Sequence, residues 1–149
     1  MTVAKEQLEL RQYIEIGLGP ERFVVDIQEI REIIKPQEIT ELFNCRPYVK
    51  GVMNLRGKIV PVYSLADKLD IPGAGAETAA SRIVVVTYED ESVGIWVDQV
   101  SRVTGVREVQ HPPGKHGNLQ GSYLKGIGRS ATGLVGILDL EKVFSGNEP

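Results

Sequence analysis

Apolar residues recur mainly at every second position along this chain, in short runs, which predicts strands rather than long helices. In residues 12–18, Ile14, Ile16 and Leu18 fall on one face and Tyr13 and Glu15 on the other. Gly19, Pro20 and Glu21 turn the chain and residues 22–27 return, giving a first hairpin. Ile27, Ile30, Ile33 and Ile34 follow at spacings of three and four, the pattern of one helical turn or of a bulged strand. Pro36 stops any helix at about Ile34. Residues 36–47 are irregular, with Ile39, Leu42 and Phe43 as expected anchors. Residues 52–55 and 59–63 predict a central hairpin turning at Arg56, Gly57 and Lys58, where glycine suits a positive φ. Alternation places Val52, Asn54 and Arg56 on one face and Met53 and Leu55 on the other. Pro61 cannot donate a ladder hydrogen bond, so its part of the strand belongs at an edge or a bulge. Ser64, with Asp67 three residues on, predicts a capped short helix ending before Pro72.

Residues 73–80 are small and flexible and read as a linker. Residues 82–88 and 93–97 predict another hairpin, turning at Glu89, Asp90 and Glu91. Val100, Val103 and Val106 then recur at threes and mirror Ile27, Ile30 and Ile33. Residues 110–121, with both histidines, read as a loop, followed by strands near 124–128 and 134–138 and a helix over 139–144. At the other end, residues 2–9 predict a short helix with Leu8 and Leu10 facing in.

The second half echoes the first. Tyr48, Lys50, Gly51 and Val52 match Tyr123, Lys125, Gly126 and Ile127 at an offset of 75 (123 − 48), which also carries Ile59, Val60, Val62 and Leu65 onto Leu134, Val135, Ile137 and Leu140. Toward the start of each copy, the Val25, Asp26 pair recurs as Val97, Asp98, an offset of 72 (98 − 26). The chain therefore reads as one domain over residues 1–149, built from intertwined copies over roughly 12–72 and 82–146. Two copies of about five strands each, with brief helices, predict a mainly β fold of two small barrels sharing a core. One feature is unequal: Asn54, Arg56 and Gly57 become Arg129, Ala131 and Thr132. Fold demands act on both copies, so what one copy alone keeps is a candidate for function.

At 149 residues the chain is long enough to bury about 70% of its unfolded surface. A net charge of −3 without clustered cations argues against nucleic acid. The single cysteine, Cys45, forms no internal disulfide and fits a reducing compartment; with no apolar run of membrane-spanning length and no signal-like N-terminus, a cytoplasmic protein is expected. Catalytic candidates are few. Cys45 beside Arg46 with His111 or His116 as base would make a small β-barrel enzyme, but a lone cysteine in a β protein is more often a small buried hydrophobe. The two histidines lack further ligands for a metal site, and no glycine pattern completes a phosphate or dinucleotide motif. No catalytic, cofactor or metal site is expected.

Gly51, Val52, Asn54, Leu55, Arg56, Gly57 and Pro61, followed by Leu65, resemble the GVxNLRGxxxPVxxL signature of CheW-like domains, adaptors of bacterial chemotaxis arrays. The hairpins YIEIGLGPERFVVDIQEIREI and VGIWVDQVSRV resemble that family's two opening segments, so the likeness covers almost the whole chain. The resemblance implies two SH3-like five-stranded barrels about a common core, and a non-enzymatic adaptor bridging the cytoplasmic tips of chemoreceptors to the regulatory domain of the histidine kinase CheA. It implies a monomer in isolation, ring assembly with the kinase, and association with membrane receptor arrays without insertion. The chain ends at Pro149 with neither kinase core nor receiver domain, which fits a free-standing adaptor; one serving a related kinase pathway is the alternative. Asn44, Cys45 and Arg46 depart from the proline-containing loop of many members. Carried over by position, the receptor groove corresponds to Ile14, Ile27, Ile30, Ile33 and Val100, and coupling to Glu32 and Arg56 with Asn54 and Gly57 at the hairpin. Exposure separates the two readings of the isoleucines: core residues are covered by the fold, groove residues by a partner.

Overall fold

A computed structural model describes residues 5–111 and 123–145. Its elements are α1 (Lys5–Glu9), β1 (Tyr13–Leu18), β2 (Glu21–Asp26), a 3-10 turn (Ile27–Glu29), β3 (Ile30–Ile34), β4 (Val49–Leu55), β5 (Lys58–Ser64) and α2 (Leu65–Lys68). There follow β6 (Arg82–Tyr88), β7 (Glu91–Val97), β8 (Gln99–Thr104), β9 (Arg107–Gln110), β10 (Leu124–Ser130), β11 (Gly133–Leu138) and α3 (Leu140–Phe144). The strands form two sheets, ordered β8-β1-β2-β11-β10-β9 and β3-β6-β7-β5-β4. Each sheet takes its central hairpin from one half of the sequence and most flanking strands from the other. β3 pairs with β6 where β8 pairs with β1, and β5 runs parallel to β7 where β11 runs parallel to β2.

The hairpins β4–β5 and β10–β11 share their irregularities. Each has a register shift after its first pair, at Val49/Gly51 and at Leu124/Gly126. Each continues through a backbone bond, Ser64 N–H to Tyr48 C=O at 2.7 Å and Asp139 N–H to Tyr123 C=O at 2.8 Å. Each then enters a helix capped by its own side chain: Ser64 Oγ accepts from Asp67 N–H and Asp139 Oδ1 from Lys142 N–H. Pro61 sits opposite Val52, whose backbone groups bond Thr40 on the far side, and β5 meets β7 only from Val62 onward. The missing N–H therefore falls where no ladder bond is required.

Three apolar clusters hold the fold. Met53, Val60, Val62, Ile83, Val85 and Trp96 fill the five-stranded barrel. Leu8, Tyr13, Val24, Val106, Val109, Val135 and Ile137 fill the six-stranded one. A larger cluster containing Ile16, Leu18, Phe23, Leu65, Val84, Ile95, Leu138 and Phe144 joins the two.

Several expectations are corrected. Alternation along β1 left open what covers the face of Tyr13 and Glu15, and both faces are buried. Glu15 accepts from the hydroxyls of Ser130 at 3.1 Å and Thr132 at 2.8 Å. Residues 107–110 form a strand, so one barrel has six strands rather than five. Leu10 is 83% exposed, since it lies two residues past Leu8 and side chains so spaced do not share a helical face. Leu42 and Phe43 are not anchors: Thr40 is the last point tied to β4, through two backbone bonds with Val52, and beyond it the chain leaves the barrel. Val100 corresponds in its pairing to Ile30, not Ile27: Ile30 lies opposite Val86 and Val100 opposite Ile16. The 3-10 turn at Ile27–Glu29 in the first crossing has no counterpart in the second, where β8 begins one residue after Asp98. His116 and most of the 110–121 loop lie outside the described residues.

Two measurements test this packing. Gly51 has φ +142°, and a Cβ there would run into the Thr40 carbonyl, so Gly51→Ala is expected to cost about 2 kcal/mol or more by denaturant unfolding. Burial, then Asp26, pushes the Tyr13 phenol from its ordinary 10 up to about 12, and its hydroxyl donates to Leu8 C=O at 2.8 Å. The folded state thus holds this proton more tightly, a contribution present below pH 10 and lost as pH rises to about 12. Tyr13→Phe should reduce the loss of thermal stability across that window.

Candidate docking surface

β3 and β4 are the two edges of the five-stranded sheet. The bulge at Arg31 lets Ile30 lean on the central cluster while Ile33 remains 37% exposed. Arg31 Nε donates to Thr87 Oγ1 at 2.7 Å, which pins the bulge. Glu32, the next residue, reaches across to the β4–β5 turn, where both its oxygens accept from the Arg56 guanidinium, Oε1 from Nη1 at 3.3 Å and Oε2 from Nη2. This two-point pairing, which holds the Arg56 pKa above its ordinary value, links one sheet edge to the turn beside the other through side chains. Arg56 and Gly57, at φ +52° and +87°, form the two-residue turn. Asn54 Oδ1 accepts from Gly57 N–H at 2.8 Å, and its carbonyl from Gln37 Nε2 at 2.9 Å. The polar spot that the second copy lacks thus divides in two: Asn54 and Gly57 build the turn, and Arg56 is presented by it.

Four of the five apolar residues assigned to the groove are partly uncovered. Ile30 and Val100 are half-buried against the central cluster, and Ile27 and Ile33 are 38% and 37% exposed. Val103, which stands in β8 where Ile33 stands in β3, is 53% exposed. Ile14 differs, being only 8% exposed and part of the central cluster, so the fold itself covers it. Glu29, missed in the sequence, sits between Ile27 and Ile30. Only its place at the end of a short turn, among isoleucines, marked it there.

Cys45 is exposed and its Sγ lies 3.7 Å from Phe43 C=O, next to Asn44 in a left-handed conformation. Phe43 is 95% exposed. Among the described residues no group of three or more metal-ligating side chains converges, and no helix is long and apolar enough to cross a membrane.

Two barrels exchange strands about a shared core and carry partly exposed isoleucines and an exposed acid-arginine pair. Residues 12–148 match the family model described as CheW-like domain. The chain is 31% identical to a chemotaxis protein CheW of Treponema pallidum, covering 99% of this chain and 88% of that one, and 29% identical to that of Thermotoga maritima, covering 97% and 94%. The solved scaffolding protein TtCheW from Thermoanaerobacter tengcongensis superposes with a TM-score of 0.82 at 27% identity, covering 92% of this chain and 94% of that one. This chain belongs to the CheW-like family, the non-enzymatic scaffold proteins of chemotaxis signalling.

The division at the turn is testable by thermal unfolding. Asn54→Ala leaves the Gly57 N–H without its acceptor and is expected to cost about 1 kcal/mol. Arg56→Ala, whose side chain is solvent-exposed, should leave the midpoint nearly unchanged.

Proposed function

We propose that this chemotaxis adaptor couples the cytoplasmic tips of chemoreceptors to the regulatory domain of the histidine kinase CheA, through separate receptor and kinase faces and without catalysis of its own. The observation that carries the receptor face is the strip of Ile27, Ile30, Ile33 and Val100, apolar side chains left partly uncovered at the barrel junction. Ile14 contributes to its floor. A helix hairpin laid along this strip would cover it, with β-branched side chains giving a firm apolar surface. The Glu32–Arg56 link, exposed and contributing little to stability, lies beside the strip where a docked partner can reach it. In this reading the chain works as one unit over residues 1–149, a monomer in isolation that joins rings with the kinase on the cytoplasmic side of receptor arrays. Cys45, exposed and hydrogen-bonded only to a neighbouring carbonyl among the described residues, has no catalytic part.

Purified protein titrated with a receptor cytoplasmic fragment and with the CheA regulatory domain, separately and together, tests the proposal. Binding to both is expected, with a ternary complex. Val100→Lys should weaken receptor binding about tenfold or more while sparing the kinase domain, because an ammonium replaces an apolar contact. Arg56→Ala should weaken receptor-dependent kinase activation, and Cys45→Ala should change nothing. Unchanged assembly and activation in both the Val100 and Arg56 variants would overturn the site assignment.

A further inference from the structure

Glu29 ends the 3-10 turn between Ile27 and Ile30, and it is chemically incomplete. Its Oε1 is wholly buried without a hydrogen-bond partner, and among the described residues its carboxylate makes no ion pair. Its acidic neighbours are provided for. Asp26 accepts from Arg11 Nη1 at 2.9 Å and from Gln28 N–H at 2.9 Å, and Asp139 accepts from Lys142 N–H. Four charged groups act on Glu29: Lys125 from β10 and, more weakly, Arg11 favour its charge, while Asp26 at the end of β2 and Asp139 before α3 oppose it. Burial is the largest influence and, together with Asp26 and Asp139, pushes the carboxyl pKa up.

The fold does not require this residue. The equivalent crossing from β7 to β8 proceeds from Asp98 directly into Gln99 with no such turn. A half-buried carboxylate without a partner costs stability; the fold closes off Oε1, so a docking protein offsets the cost by bringing a cation to the open side of the carboxylate. With Asp26 and Arg11 paired to each other, Glu29 and Asp139 face one nearby lysine, Lys125, which favours a cationic donor over a neutral one. We propose that Glu29 is a specificity-determining residue of the docking strip, pairing with a lysine or arginine on the partner helix that covers Ile27 and Ile30. The proposal rests on the receptor-groove reading and names what that groove selects.

Pairing with a cation lowers the carboxyl pKa in the complex, so binding releases a proton and weakens as pH falls through the raised pKa of free Glu29. A receptor cytoplasmic fragment titrated calorimetrically against wild type, Glu29→Gln, Glu29→Lys and Val100→Lys, near neutral and at acid pH, tests it. Glu29→Lys should weaken binding about tenfold or more, and Glu29→Gln less, with part of the acid dependence gone. Retained binding to the CheA regulatory domain and an equal or higher thermal midpoint for Glu29→Gln establish that these variants are folded. Wild-type or tighter affinity of Glu29→Lys, while Val100→Lys binds weakly, overturns the pairing and leaves the groove standing. Undiminished binding by both lysine variants overturns the groove and the pairing together.

Discussion

Burial of both faces of the central hairpins is the constraint on which the rest of the structure depends. Along β1, Ile16 and Leu18 enter the cluster that joins the barrels, while Tyr13 points into the six-stranded barrel and Glu15 is buried with it. Along β6, Val84 and Val86 join the shared cluster while Ile83 and Val85 fill the five-stranded barrel. A strand with no solvent face must be covered on both sides, and exchange of strands between the halves of the chain achieves this. Neither barrel has a complete inner strand set without the other half, so the barrels are held together by topology as well as by apolar contact.

The two equivalent turns show how one scaffold serves different ends. At Ala131 and Thr132 the turn is fastened inward: Ser130 and Thr132 donate to Glu15, which is 1% exposed. At Arg56 and Gly57 the turn is fastened outward, by Glu32 through an exposed ion pair. Two hydroxyls on a buried carboxylate close off a polar group that burial would otherwise penalise. An exposed guanidinium held at two points by a carboxylate adds little to stability and presents a charge in a fixed place. Stability and presentation are thus divided between the two turns.

Much of this was legible in the chain. Arg56 and Gly57 as a tight turn, the Ser64 cap, and a turn or bulge among the isoleucines follow from local rules: φ preference, side-chain capping and alternation act within a few residues. The family signature runs through the same hairpin for that reason.

Other features depended on distant neighbours. Periodicity gave Tyr13 and Glu15 a common face but not what covered it, because β10, β11 and α1 do so from far along the sequence. Leu42 and Phe43 are apolar, yet whether an apolar loop packs or protrudes depends on where its last backbone anchor falls, here at Thr40. Ile14 in β1 and Ile27 in the 3-10 turn after β2 are the same residue type, and only the assembled barrels bury one and leave the other exposed. Sequence by itself determined the turns, the caps, the doubling of the unit and the family. Tertiary structure decided which apolar side chains remained exposed and left a Glu29 oxygen without a hydrogen-bond partner, because burial and charge pairing are set by segments that meet only after folding.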